Sequence, residues 1–157
     1  MQEKSIEKVW KFRKSYEDYW ATPDLLWSLR FAFTEIAEAL DAWMRANSNE
    51  FSRNNEKNLD VIDELADTAI MLLTALGPKS WVDDKPATYM PDIETVAERI
   101  GRCLKRASDD AEVKHVDGLI TLAYSEILSL GVTPEDIQRR LDRIYAKHVF
   151  PKVSNEL

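Results

Sequence analysis

The chain has 157 residues, of which 45% are hydrophobic and only four are glycine and six proline, so it can build a sizeable core from long regular elements. Its formal net charge of −7 excludes the positive field that drives non-specific binding to duplex DNA or RNA, and a polyanionic substrate would need cations to bring it in. The single cysteine, Cys103, excludes an intrachain disulfide and fits a reducing compartment.

Met1 to Ser5 is charged and carries no apolar signal-peptide region, and the longest apolar stretch, Ala69 to Leu76, is too short to span a bilayer. A cytoplasmic location is the expectation. Apolar residues recur at helical spacing almost throughout, and no stretch sustains period-two alternation. The fold class expected is all-α, a helical bundle forming one domain over residues 1–157.

The first helical segment, about Glu3 to Trp20, carries Ile6, Val9, Trp10, Tyr16 and Trp20. Thr22-Pro23-Asp24 reads as an N-cap followed by proline at the first helical position, and a long helix follows over Pro23 to Ala46. Asn47-Ser48-Asn49 breaks it, and the polar stretch to Asn58 reads as a loop or frayed turn. Another helix spans about Lys57 to Leu76 and ends at Gly77-Pro78. Lys79 to Met90 reads as a loop. Pro91 opens a helix to about Lys114, a shorter one covers Asp117 to Leu130 with Gly131 behind it, and Thr133-Pro134-Glu135-Asp136 starts a last helix ending near His148.

On a wheel of about 100° per residue, Arg30, Thr34, Glu38, Asp41 and Arg45 share one solvent stripe. Glu35 lies roughly 100° from its centre, among Phe31, Ala39 and Ala42. A carboxylate in apolar surroundings needs a partner or a shifted pKa, and Glu38 is one turn away. In the Lys57–Leu76 helix, Asp60, Asp63, Glu64 and Asp67 crowd one sector with only Lys57 nearby. The helix macrodipole accounts for the first three but less well for Asp67, where an all-round apolar run begins.

The chain thus holds Glu35-x-x-Glu38 and Glu64-x-x-Asp67, with 25 residues between the pairs. If the two helices pack antiparallel, four carboxylates converge and repel unless cations neutralise them. Hard oxygen ligands suit Mg²⁺ or Mn²⁺. Replacing Glu38 or Asp67 by its amide should then relieve repulsion and leave the metal-free protein no less stable.

These pairs, in FTEIAEALDAWMR and DELADTAIMLL, resemble the E-x-x-E and E-x-x-D signature of the MazG-like all-α nucleoside triphosphate pyrophosphohydrolases. The stretch from Trp20 through Thr22-Pro23 to Leu29 resembles the lead-in of the dCTP pyrophosphatase branch, and Gly131 to Lys147 resembles the family's closing helix; dimeric dUTPase-like enzymes are the neighbouring branch. The resemblance covers about Trp20 to Leu76 and, loosely, the tail. It implies Mg²⁺ held by Glu35, Glu38, Glu64 and Asp67, with Mn²⁺ as a substitute, and Glu35 or Glu38 orienting or deprotonating a water. It implies hydrolysis to monophosphate and pyrophosphate in nucleotide-pool house-cleaning, by a homodimer or homotetramer. Many relatives carry two adjacent acids at the first pair, whereas this chain has Thr34 at the leading position.

A triphosphate also needs basic partners. Candidates are Arg99, Arg102, Lys105 and Arg106, which can share a helix face, and Lys147 and Lys152 near the end, with a solvated basic surface as the competing account. Trp20, Trp27, Phe31 and Trp43 are candidates for stacking on a base, against a plain core role. Glu112-x-x-His115 lacks the second motif of a di-iron bundle, and no P-loop is present. The rival readings are a helical interaction protein with solvated acidic faces and a nucleotide-binding module without turnover.

Overall fold

The computed structural model describes residues 3–46, 58–109 and 116–144. Among them the helical periodicity becomes six helices and no strand: α1 (Ser5–Ser15), α2 (Leu25–Arg45), α3 (Leu59–Leu76), α4 (Ile93–Ser108), α5 (Val116–Ser129) and α6 (Pro134–Ile144). The expected break at Asn47-Ser48-Asn49 and the expected helix ends at Lys114 and His148 lie outside the described residues.

Helix starts follow the best side-chain acceptor rather than the proline. Asp24 caps α2 by accepting from the Trp27 N–H at 2.9 Å, so the helix begins at Leu25 and not at Pro23. Asp92 does the same for α4, accepting from the Thr95 N–H at 2.7 Å, which moves that start from Pro91 to Ile93. In both, a carboxylate satisfies an N–H that has no intrahelical partner. At α6 the expected cap is present in reciprocal form: the Thr133 N–H donates to Asp136 at 2.9 Å and the Asp136 N–H donates to Thr133 Oγ1 at 3.2 Å. Gly77 behind α3 and Gly131 behind α5 take φ values of 90° and 109°, which a side chain would make costly.

Helix α3 sits centrally, packing against α1, α2, α5 and α6, while α4 bridges α2 and α5. Its half beyond Asp67 is buried at every residue except the half-buried Met71, which is why the run from Thr68 is apolar nearly all round. One hydrophobic cluster draws on all six helices, from Ile6 and Val9 to Ile137 and Leu141. Cys103 lies within it, and burial pushes its thiol up to about 11, which makes it an inert core residue.

Residues 79–90 are non-helical as expected, yet they are tied down. Asp84 accepts from the Ser5 N–H and Oγ at 3.0 Å each and from the Tyr124 hydroxyl. The Ala87 N–H donates to the Ser125 carbonyl at 3.1 Å. The segment is a strap across α1 and α5. No single described helix is long and apolar enough to cross a membrane.

Candidate metal centre

The solvent stripe of α2 is found as expected: Arg30, Thr34, Glu38, Asp41 and Arg45 are all exposed. Glu35, one position off that stripe, is half-buried and turned toward α3. On α3 the i, i+3 spacing puts Glu64 and Asp67 on the side facing α2, both half-buried. Carboxylate oxygens of Glu35, Glu64 and Asp67 come within 4.8 Å of one another.

Glu38 is exposed and stands outside that trio, but lines the same cleft and touches Glu64 through its side chain. The cleft has a volume of about 540 Å³, and its walls include Trp20, Phe31, Ile70 and Met71 beside the acids.

Three carboxylates this close resist ionising together. Glu35 is pushed up to about 9, first by burial, then by its hydrogen bond with Glu64 and by the charges of Asp67, Glu38 and Glu64. Glu64 is pushed up to about 7, again mainly by burial. One proton shared between Glu35 and Glu64 therefore lowers the charge at neutral pH.

Asp67 is neutralised differently. Arg140 of α6 grips it with a two-pronged fork, Nε and Nη2 each donating at 2.8 Å. Arg139 pairs with Asp63 at 2.7 Å. The acidic half of α3, which has little local counter-charge in sequence, thus obtains it from a helix some seventy residues downstream.

The other sequence candidates divide. Trp20 and Phe31 line the cleft. Trp27 does not; it is 53% exposed and lies beneath the Arg30 guanidinium. Arg102 and Lys105 are exposed residues of α4 outside the cleft lining, and Arg102 pairs with Glu98 one turn back at 2.8 Å. Arg99 is committed to Glu126. Lys147 and Lys152 lie outside the described residues, as do Glu112 and His115.

The cations that do line the cleft are Arg13, Arg140 and Arg143, and the sequence reading selected none of them. Two come from α6, whose start was legible but whose partner was not. The available signal was the surplus of acid on α3, which demands a basic face on some neighbouring helix.

The donor set is hard oxygen throughout, and its mutual repulsion falls when a cation enters. These residues fit a hard divalent ion as a class, Mg²⁺, Mn²⁺ or Ca²⁺, better than a soft metal that prefers thiolate or imidazole. Comparison with protein-family models, curated proteins and solved structures finds no match to this chain.

Proposed function

We propose that the chain is a Mg²⁺-dependent nucleoside triphosphate pyrophosphohydrolase of the MazG-like kind. The observation that carries this is the meeting of Glu35, Glu64 and Asp67 from two helices, within 4.8 Å, in a cleft large enough for a nucleotide. When bound there, Mg²⁺ supplies Lewis-acid polarisation of a phosphate oxygen and offsets the charge that develops on it.

The protein's own residues do the rest. Glu35, Glu64 and Asp67 would hold the cation. Glu38, exposed at the rim and in touch with Glu64, accepts the proton of the attacking water. The water oxygen bonds to the α-phosphorus as the bond to the bridging oxygen breaks, and pyrophosphate leaves. Trp20 and Phe31 provide aromatic surface against which a base can stack and from which water is excluded.

The active form is a homo-oligomer, dimer or tetramer. On α2, Trp27, Phe31, Phe33 and Met44 are 53%, 47%, 44% and 67% exposed, and a second subunit would cover such apolar surface.

A panel of canonical and modified nucleotides incubated with Mg²⁺, against an EDTA control, tests the reading by phosphorus NMR of the products. Monophosphate plus pyrophosphate is expected. Diphosphate plus orthophosphate would overturn it, and nucleotide-induced stabilisation without turnover would favour a binding module.

A further inference from the structure

The cleft holds two buried or half-buried arginines in opposite circumstances. Arg140 is saturated by Asp67 and Asp63. Arg13, on α1, has no carboxylate within ion-pair distance among the described residues, although it lines the same cleft as four acids.

Arg13 is only 4% exposed. Its Nε and Nη2 share one neutral acceptor, the Thr74 hydroxyl, at 3.4 and 3.3 Å, and Nη2 also meets the Met71 sulfur at 3.5 Å. Its Nη1 is buried without any hydrogen-bond acceptor. The guanidinium lies 4.8 Å from the centre of the Trp20 ring, and Trp20 itself lines the cleft. Burial without a counter-charge brings its pKa down to about 10, still charged at neutral pH.

Burying an unpaired cation costs stability unless an anion compensates it. A salt bridge to one of the neighbouring acids would have been the simplest compensation, yet those acids converge on each other instead. The cleft is therefore bipolar, with a cation-seeking cluster from α2 and α3 and an anion-seeking guanidinium from α1.

We propose that Arg13 is the phosphate-recognition residue of this cleft, its guanidinium swinging away from its long contacts with the Thr74 hydroxyl so that Nη1, covered and without an acceptor where it stands, pairs with phosphoryl oxygens of a polyphosphate in the cleft. The inference rests on the reading of the cleft as a metal–nucleotide site and adds to it a residue and a ligand orientation. The polyphosphate is drawn toward the α1 wall and away from the carboxylates that would repel it.

The test uses inorganic pyrophosphate as probe, titrated calorimetrically into the full chain at saturating Mg²⁺, with Mg²⁺ titrated alone in parallel. A charge-assisted hydrogen bond of this kind corresponds to about a tenfold to hundredfold affinity change. Arg13→Met is expected to weaken pyrophosphate binding by that factor while leaving Mg²⁺ affinity within about twofold, because Arg13 touches no carboxylate. The melting temperature of Arg13→Met without ligands is expected to equal or exceed that of the natural chain, since an uncompensated buried charge has been removed. Arg13→Lys, which keeps the charge but loses the planar fork, is expected to fall between the two and provides the reading should the Met variant not fold.

Unchanged pyrophosphate affinity in Arg13→Met, or in Arg13→Lys where only that variant folds, overturns the role of Arg13 even if Mg²⁺ binding and nucleotide hydrolysis stand. Absence of Mg²⁺ binding and of turnover in the natural chain overturns the metal–nucleotide reading itself, and this inference with it.

Discussion

Two clusters of buried charge are built on opposite rules. Around α5, Glu126 is fully buried and completely answered: Arg99 of α4 reaches both its oxygens, and the Tyr89 hydroxyl donates to it at 2.8 Å. The hydrogen bond to Glu126 holds the Arg99 guanidinium above its ordinary pKa. In the cleft, Glu35 and Glu64 share a proton rather than a base, and Arg13 goes without an anion. The Glu126–Arg99–Tyr89 set fixes one arrangement of helices, and it lies outside the cleft lining. An unsatisfied set costs stability and becomes favourable only when something else binds. The contrast sets the α4–α5 pair apart as scaffold from the α1–α2–α3–α6 face that carries the proposed site.

The largest effect that separates them is on turnover. Glu35→Gln is expected to lower Mg²⁺ affinity and to cut pyrophosphate release by about a thousandfold, the scale of losing electrostatic stabilisation of the transition state. Glu38→Gln is expected to leave Mg²⁺ affinity nearly intact, since Glu38 stands outside the trio, and to lower kcat by about a hundredfold through loss of the base. Initial rates across a Mg²⁺ series distinguish the two. Full activity in Glu38→Gln at limiting Mg²⁺ would remove Glu38 from the mechanism.

On the scaffold side the corresponding loss is in folding. Glu126→Leu leaves Arg99 in place without its partner, and truncating one member of a buried pair costs about 3 kcal/mol. Urea denaturation should show that loss, while turnover per folded molecule stays unchanged. Adding Arg99→Met should restore much of the stability, because an apolar pair of similar volume often replaces a buried ion pair at little cost.

The cleft side of this division could be read in part from the sequence, but the scaffold side could not: Arg99 stood among the phosphate candidates, and its pairing with Glu126 depends on how α4 and α5 dock. The wheel position of Glu35, away from the polar stripe, and the apolar run that begins at Asp67 pointed to the two half-buried acids that meet in the cleft, because both depend on helical period alone. Glu38 was legible as a stripe residue and is one, at the cleft rim. Arg13 and Arg140 were not legible, because what they touch depends on how α1 and α6 dock, and local pattern does not encode it. The Arg140 fork also changes an expectation. Asp67→Asn was expected to relieve repulsion, but it leaves Arg140, whose side chain is only 14% exposed, without its bidentate acceptor. A modest loss of stability is now expected.

A smaller effect is the pH response of the carboxyl pair. Glu35 and Glu64 sit above their ordinary 4.5 in the folded chain, at about 9 and about 7. Folding therefore favours the protonated forms, and the stability they contribute is present below about 4.5 and lost as pH rises through 7 and 9. In EDTA, the melting temperature should decline over that window, moderated by solvent screening of half-exposed groups. Glu35→Gln should flatten the decline, and so should Mg²⁺, which favours the ionised forms. A decline of equal slope in Glu35→Gln would assign it to other groups.

The smallest effect tests the scaffold where it has room to improve. Gly101 lies in the middle of α4, where glycine costs up to about 1 kcal/mol relative to alanine through the backbone freedom it must lose. A Cβ built there would meet Phe33 Cε2 at 3.4 Å and Cδ2 at 4.0 Å, with no other atom within 4 Å. That is ordinary van der Waals contact rather than a clash. Gly101→Ala is therefore expected to raise stability by about 0.5–1 kcal/mol, seen as a shifted urea midpoint at unchanged slope. Neither Gly101 nor Phe33 lines the cleft, so Mg²⁺ affinity and turnover should not move. A loss of stability would mean that α2 and α4 approach too closely at this crossing to admit a methyl group. A change in turnover at unchanged Mg²⁺ affinity would mean that the α2–α4 packing positions Glu35, and that the boundary between scaffold and site runs through α2 itself.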